Sequence, residues 1–478
     1  MVFTSFNFLI FFPIVAIVYY LTPKKYRWLS LLIASYFFYI NIKPVFALLT
    51  IGISLSTYIF TKLIDNTEDE NKKKNYMVVN IILILLPLFF FKYFNEINSS
   101  IFTLLESFNL RWPLPEIKMI LPIGISYYTF MAIGYTIDVY NEEIEAENNF
   151  GIVALFISFF PLILSGPIER ANSMLPQFRE SKSPNYKMIS SGLKLMLWGY
   201  FMKLVVADRV GIYVDAVFEN YEFHNGTTLM IATLLYPFQV YADLGGYSLI
   251  AIGVSKILGL NVRENFRRPF FATSMSEFWR RWHMSLITWL TDYLYTPITF
   301  AVRKYKIWGI VIALMITFII SGIWHGASLA FVTWGVIQGL FLSTEALTNK
   351  KKIAFEKKHN LNRKIGYIFI NIIITYVLFA TSEVFGRGTD MSVALTVFYK
   401  IFTTSGEIFI GTSSTVIYMF VGILLLFLKD FTDEYYPNNF LLFENKNKIV
   451  RILSYSAIII IILLIGVLDG GQFIYFQF

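Results

Sequence analysis

Residues 307–344 read IWGIVIALMITFIISGIWHGASLAFVTWGVIQGLFLST, a run of 38 residues without Asp, Glu, Lys or Arg. A helix needs about 20 apolar residues to cross a bilayer, so this run is long enough for two crossings. His325 lies near its centre, where a polar ring is costly unless it faces a cavity or a partner. The run therefore predicts two membrane-embedded helices. It also predicts that His325 faces a cavity or a polar partner.

The composition of the whole 478-residue chain indicates a polytopic membrane protein. Hydrophobic residues make up 56% and charged residues 15%, whereas soluble globular chains carry about 25% charged residues. The net charge of +8 comes from short Lys and Arg clusters between apolar runs, a placement that sets membrane orientation and argues against nucleic-acid binding. The absence of cysteine excludes disulfides, Cys-ligated zinc and an enzyme-thioester intermediate.

Further uncharged runs are spread along the chain. They cover residues 2–23, 28–42, 44–61, 77–91, 119–137, 148–168, 227–242, 244–255, 365–382, 408–428 and 452–468, with a weaker amphipathic candidate at 188–207. Several runs are too short to cross unless flanking charges reach the interface. We predict an all-α membrane protein with about eleven transmembrane helices plus re-entrant or in-plane helices. It forms a single domain over 1–478, with a motif-bearing core at 119–345 and a C-terminal aromatic motif at 470–478.

Basic loops predict the orientation of the chain. Residues 345–364 carry seven Lys and Arg side chains, which places this loop in the cytoplasm. Counting crossings onward from there puts the tail after residue 468 outside. At the other end of the chain, the basic clusters at 24–27 and 62–74 also mark inside loops, which puts Met1 outside. The middle of the chain does not follow this alternation, because residues 138–147 contain five acids and no base. We therefore expect that some middle segments do not cross the membrane.

Two of the four histidines lie in unusual surroundings. His224 and His359 belong to polar loops and are expected to be solvated. His325 is flanked by Gly322 and Gly326, which let backbone or a ligand approach closely. The structural alternative for His325 is a buried ring that is satisfied by a neighbouring hydroxyl or carbonyl.

His283 follows a segment in which arginines alternate with aromatic residues, in the strings FRRPFF and EFWRRWHMSL. Such a segment suits an interfacial amphipathic helix. It also suits a basic cytoplasmic vestibule for a phosphate-bearing donor, with His283 pointing inward. A histidine that titrates near neutrality takes a proton from a hydroxyl and returns it to a leaving group, which predicts group transfer. The vestibule residues are Arg267, Arg268, Arg280, Arg281, Trp279, Trp282 and Trp324.

Three charged residues form a second tier of candidates. Asp243 precedes LGGYSLIAIG, and Glu169 with Arg170 ends SGPIER. Gly and Pro beside them predict broken helices that line a cavity, whereas a membrane-edge acid or helix cap is the structural alternative. No metal-type spacing of histidines and carboxylates occurs, so no metal site is predicted.

Six strings together resemble the membrane-bound O-acyltransferase family, in the bacterial branch of alginate and peptidoglycan O-acetyltransferases. In chain order they are LPIGISYYTFMAIGYTIDVY, FPLILSGPIER, YADLGGYSLIAIG, ENFRRPF, EFWRRWHMSLITWLTDYLYTPI and GIWHGAS. The resemblance implies helices around a central tunnel, with His325 as the essential histidine and His283 as the second tunnel histidine. It also implies cytoplasmic acetyl-CoA as donor substrate without a permanently bound cofactor, an extracytoplasmic polysaccharide acceptor, and an SGNH-type partner protein at the bacterial cytoplasmic membrane.

The C-terminal string GGQFIYFQF is similar to an aromatic motif of related systems, which implies that Tyr475 carries the acyl group transiently. A tyrosine nucleophile needs a base because its pKa is near 10, and His325 is the natural candidate. An aromatic interfacial anchor is the alternative. The sequence thus predicts an O-acetyltransferase for a cell-envelope polysaccharide or exopolysaccharide. The GYSL form is shared with teichoic-acid D-alanyl transferases, which remain an alternative, as does a non-catalytic transporter.

Overall fold

The computed structural model describes residues 1–108, 121–180, 182–361, 364–387, 390–437 and 443–468. This part of the chain is helical and contains no strand, which confirms the all-α prediction. It divides into two compact units. The first comprises Met1–Met196 and Ser248–Arg263, and the second comprises Leu197–Tyr247 and Glu264–Phe478. The expectation of a single domain stays a prediction.

The first unit is built from the N-terminal helices. They are α1 (Phe6–Leu21), α2 (Arg27–Ile40), α3 (Pro44–Asp65), α4 (Glu70–Ser107), α5 (Ile125–Tyr140), α6 (Phe150–Ser158), α7 (Phe160–Ile163), α8 (Ala171–Arg179) and most of α9 (Tyr186–Phe201). Buried Asn80 of α4 links its neighbours: it accepts a hydrogen bond from Ser56 Oγ at 2.7 Å and donates to Thr136 Oγ1 at 2.8 Å. The bridge joins α3, α4 and α5. Hydrogen bonds between helices help to select the neighbours of a membrane helix, because lipid tails are as apolar as its side chains.

The second unit begins with the last residues of α9, continues through a π-helical turn, Met202–Ala207, and contains the remaining helices. They are α10 (Asp208–Phe218), most of α11 (Gly226–Ile257), α12 (Met275–Trp279), α13 (Met284–Leu290), α14 (Thr296–Ala301), α15 (Ile307–His325), α16 (Leu329–Lys358), α17 (Ile365–Arg387), α18 (Met391–Thr403), α19 (Ser413–Tyr435) and α20 (Lys448–Ile465). The runs 227–242 and 244–255 therefore belong to one helix, α11, because Asp243 continues it.

Within the described residues, seven helices are long and apolar enough to cross a membrane. They are Pro44–Asp65, Glu70–Asn95, Ile307–His325, Leu329–Lys358, Ile365–Arg387, Ser413–Tyr435 and Lys448–Ile465, and three shorter apolar helices are Phe6–Leu21, Phe150–Ile163 and Met391–Thr403. The multi-pass prediction is confirmed. The uncharged runs do not predict α18, since Asp390 and Lys400 leave only nine uncharged residues between them.

The 38-residue run forms the hairpin of α15 and α16, which confirms that it holds two helices. The helices approach closely at two glycines. A Cβ atom on Gly322 would lie 2.4 Å from the Phe331 carbonyl oxygen, and one on Gly335 would lie 2.3 Å from the Phe318 carbonyl oxygen. Any larger residue would push the helices apart. This close packing fixes the end of α15, where His325 lies.

Candidate active site

His325 is the last residue of α15 and is partly buried. Its Nδ1 lies 2.7 Å from the Ser321 carbonyl oxygen. A carbonyl oxygen only accepts, so Nδ1 carries the hydrogen and the lone pair of the neutral ring is on Nε2. The ring also packs against two tryptophans, with centroid distances of 4.6 Å to Trp324 and 4.8 Å to Trp334. Backbone and aromatic contacts together hold the imidazole at the helix end.

His283 precedes α13 and is 2% exposed. Its backbone is left-handed, with φ 43°, a conformation that costs energy for a residue other than glycine. The neighbouring residues hold this turn: Met284 N donates to the Asn265 carbonyl oxygen at 2.8 Å, and Ser285 Oγ donates to Asn265 Oδ1 at 2.8 Å. Burial lowers the pKa of His283 to about 4, so its ring is neutral near pH 7.

One cavity of about 50 Å³ in the second unit is lined by both His283 and His325. A single water needs about 10–15 Å³ of such space, so the cavity holds a few water-sized groups. Its other lining residues are Tyr236, Val240, Leu244, Trp279, Trp282, Leu286, Phe331, Trp334, Glu383 and Gly386. The two histidines that the sequence singled out are thus brought to one mostly aromatic space.

Two of the predicted vestibule arginines are engaged by carboxylates. Arg268 Nε lies 2.8 Å from Glu434 Oε2, and Arg281 Nη2 lies 3.0 Å from Glu434 Oε1. Arg281 Nη2 also lies 2.6 Å from Glu277 Oε1. The two positive charges are therefore matched by two acids, which the sequence spacing did not reveal because Glu434 belongs to α19. The basic vestibule stays a prediction.

The other vestibule residues divide into two groups. Arg267 and Arg280 are exposed, and Arg267 pairs with Glu264. Trp279 and Trp282 are buried and line the histidine cavity, while Trp324 contacts the His325 ring. Trp279 and Trp282 thus belong to the cavity wall and Trp324 packs on one cavity histidine, whereas Arg267 and Arg280 are at the surface.

Known proteins are similar to this chain over the stretch that contains the cavity residues. The model of the MBOAT family, membrane-bound O-acyltransferases, matches residues 149–385, which include both cavity histidines. The probable alginate O-acetylase AlgI of Pseudomonas syringae pv. tomato is 34% identical over 399 residues, which cover 82% of this chain and 74% of the relative. The chain belongs to the membrane-bound O-acyltransferase family. The resemblance noted in the sequence is confirmed, and the protein is an O-acyltransferase.

Other relatives of this acyltransferase differ in name and in coverage. The peptidoglycan O-acetyltransferase of Helicobacter pylori is 31% identical over 374 residues, covering 72% of this chain and 69% of the relative. The teichoic acid D-alanyltransferase of Streptococcus thermophilus is 28% identical over 249 residues, covering 49% of this chain and 60% of the relative. Similarity to the O-acetylating relatives is therefore higher and extends further along the chain.

The second-tier candidates lie elsewhere in the acyltransferase. Asp243 binds a lysine that the sequence pattern did not single out: Lys203 Nζ lies 2.6 Å from Asp243 Oδ1 and 2.8 Å from Asp208 Oδ1. In the first unit, Glu169 Oε1 accepts a hydrogen bond from the backbone N of Arg263 at 2.6 Å, and Arg170 is buried. Lys203 could have been found from the sequence, because a lysine inside an apolar stretch is rare unless it is paired or has a function.

Glu383 is a cavity residue of the acyltransferase that sequence reasoning missed. It is 7% exposed, and its Oε1 accepts a hydrogen bond from Trp334 Nε1 at 2.9 Å. The signal for it was its place at the end of the uncharged run 365–382, because an acid within a membrane helix is rare unless it has a function.

The third predicted catalytic residue of this family member, Tyr475, lies outside the described residues. Its role as a transient carrier of the acyl group stays a prediction. Among the residues that the structure does describe, no group of three or more His, Asp or Glu side chains is placed to hold a metal ion.

Proposed function

We propose that this acyltransferase moves an acetyl group from cytoplasmic acetyl-CoA across the membrane for O-acetylation of an extracytoplasmic cell-envelope polysaccharide or exopolysaccharide. The observation that carries the proposal is the shared cavity of His283 and His325. The names of the relatives, alginate O-acetylase and peptidoglycan O-acetyltransferase, support the acetyl group and the polysaccharide acceptor.

In the proposed reaction, His325 is the general base. Because Nδ1 donates to the Ser321 carbonyl, Nε2 is the nitrogen that takes the proton from the attacking hydroxyl. The hydroxyl oxygen bonds to the thioester carbonyl carbon, the carbon–sulfur bond breaks, and the leaving thiolate recovers the proton from the imidazolium. His283, neutral near pH 7, orients the donor or assists this proton transfer.

The acetyl group must then reach an acceptor on the other side of the membrane. We assign its first acceptor hydroxyl to Tyr475, whose ordinary pKa near 10 requires the base that His325 supplies. An SGNH-type extracytoplasmic protein completes the transfer to the polysaccharide. Supporting this assignment is the predicted outside position of the C-terminal tail, which follows from the basic loop at 345–364.

The test uses purified protein in proteoliposomes with radiolabelled acetyl-CoA, and mass spectrometry of glycans from expressing cells. His325→Ala and Tyr475→Phe are each expected to abolish acetylation while the protein remains folded. His359→Ala is the matched control, since His359 is exposed at the end of α16, and it is expected to keep full activity. Full activity in both His325→Ala and Tyr475→Phe would overturn the mechanism.

The second candidate is D-alanyl transfer to teichoic acid, which the D-alanyltransferase relatives favour over part of the chain. Supplying a D-alanyl carrier-protein thioester in place of acetyl-CoA separates the two reactions, because only the correct donor labels the acceptor. A non-catalytic transporter predicts that neither donor is consumed and that transport survives His325→Ala.

A further inference from the structure

A buried carboxyl group forms part of the wall of the histidine cavity and has no role in the proposed mechanism. Glu383 lies in α17, and both its side chain and Gly386 line the cavity. A Cβ atom on Gly386 would lie 3.0 Å from Glu383 Oε2 and 3.3 Å from Trp334 Cδ1. Because Gly386 has no side chain, the carboxyl group of Glu383 and the indole of Trp334 fit side by side next to it.

Glu383 is connected to His325 through one side chain. Its Oε1 accepts the 2.9 Å hydrogen bond from Trp334 Nε1, and the Trp334 ring packs on the His325 imidazole at 4.8 Å. Trp334 is 4% exposed, so its indole is confined by the surrounding side chains. A hydrogen bond at one end of a confined ring fixes the rotation of its other end.

We infer that Glu383 is a positioning residue for acyl transfer: by holding the Trp334 indole, it fixes the orientation of the His325 imidazole. This inference rests on the proposed function. The orientation matters because Nε2 must lie within hydrogen-bond reach of the reacting hydroxyl, and a misplacement of about 1 Å can cost on the order of 100-fold in rate.

A second buried carboxyl group in the same unit provides a matched control. Asp430 is 8% exposed and accepts a hydrogen bond from the Tyr241 hydroxyl at 3.0 Å. Like Glu383, it is a buried acid on a membrane-spanning helix that accepts from an aromatic side chain. Asp430 is not among the residues that line the histidine cavity.

The experiment compares kcat and KM for acetyl-CoA in folded, detergent-purified variants. Glu383→Met, which keeps the size but removes the acceptor, is expected to lower kcat by about 10- to 100-fold with KM unchanged. Glu383→Gln retains an acceptor oxygen and is expected to restore kcat to within about 3-fold of wild type. Asp430→Leu is expected to leave kcat unchanged.

A double-mutant cycle tests the connection through Trp334. If Glu383 acts by holding the indole, Trp334→Phe combined with Glu383→Met lowers kcat no further than the more severe single variant. Multiplying losses, or a Glu383→Met enzyme with wild-type kcat, would overturn the positioning role while leaving acetyl transfer established.

A chemical readout keeps the inference separate from the proposed function. Diethyl pyrocarbonate modifies imidazole nitrogens, and mass spectrometry measures its rate of reaction with His325. We expect Glu383→Met to change this rate at least about 3-fold, and Glu383→Gln and Asp430→Leu not to change it. If wild-type protein consumes no acetyl-CoA, the proposed function fails, and an unchanged modification rate in Glu383→Met independently overturns the inference.

Discussion

Lys203 is a buried cation that lies between two carboxylates. Its side chain and that of Asp243 are each 1% exposed, and Asp208 is 6% exposed. A buried ion pair is stable only while each charge keeps its partners, because removal of one leaves an uncompensated charge in a medium of low dielectric constant. The π-helical turn that carries Lys203 is thus held to α10 and α11 by charge.

We predict that Lys203→Met destabilises the protein by about 3–5 kcal/mol, since two buried acids lose their cation. Thermal unfolding in detergent measures the change. Lys187→Met, at an exposed lysine, is the control and should unfold like wild type. Adding Asp208→Asn and Asp243→Asn to Lys203→Met should recover part of the loss; the absence of any recovery would contradict the charge argument.

His283 gives a prediction of pH dependence. Its pKa falls from the ordinary 6.5 to about 4 on burial, so the unfolded chain binds a proton that the folded chain does not between these values. Stability from this group is therefore present above about pH 6.5 and is lost as pH falls toward 4. His283→Asn should show a shallower loss of melting temperature over this window, and an identical slope would refute the assignment.

At the scale of elements, the hairpin of α15 and α16 positions His325, the proposed general base. Gly322 and Gly335 let the two helix backbones approach, and Ser328 begins α16 by accepting a hydrogen bond from Ala330 N at 3.2 Å. His325 is the last residue before the turn, so any separation of the helices moves its ring relative to Trp334 on α16.

We expect Gly322→Ala to lower acetyl transfer by at least about 10-fold, because its Cβ would lie 2.4 Å from the Phe331 carbonyl oxygen. Gly366→Ala is the control, since nothing lies within 4 Å of the corresponding Cβ in α17. Activity and melting temperature are measured for both. Wild-type transfer by Gly322→Ala would show that helix approach does not position the histidine.

At the scale of the whole molecule, the basic loop at 345–364 predicts the sidedness of the chain. The chain has no cysteine, so single-cysteine variants report one position each. Lys351→Cys is expected to react with an impermeant maleimide only after membranes are opened. Ser405→Cys, which follows α18 in the segment 383–407 that we predict to lie outside, should react in intact cells. Labelling of both positions from the same side would contradict the predicted orientation.

Part of the site could be predicted because its signals are local. His325 stands out as the one imidazole among 38 uncharged residues, and His283 by its arginine and tryptophan neighbours. Lys203 and Glu383 were missed because each interrupts or ends an apolar run, so a scan for uncharged stretches treats it as a boundary. Glu434 was missed because its arginine partners are more than 150 residues away in the chain.

The sequence by itself determined that the chain is helical and crosses a membrane. Both properties depend on the length of each apolar run and on the placement of charges beside it, and not on which helices pack together. Its motifs also determined the family. Only the tertiary structure decided that His283, His325 and Glu383 line one cavity, and that two vestibule arginines are matched by acids. Such pairings depend on which helix faces approach one another, and the packing of side chains from distant segments, not local pattern, selects those faces.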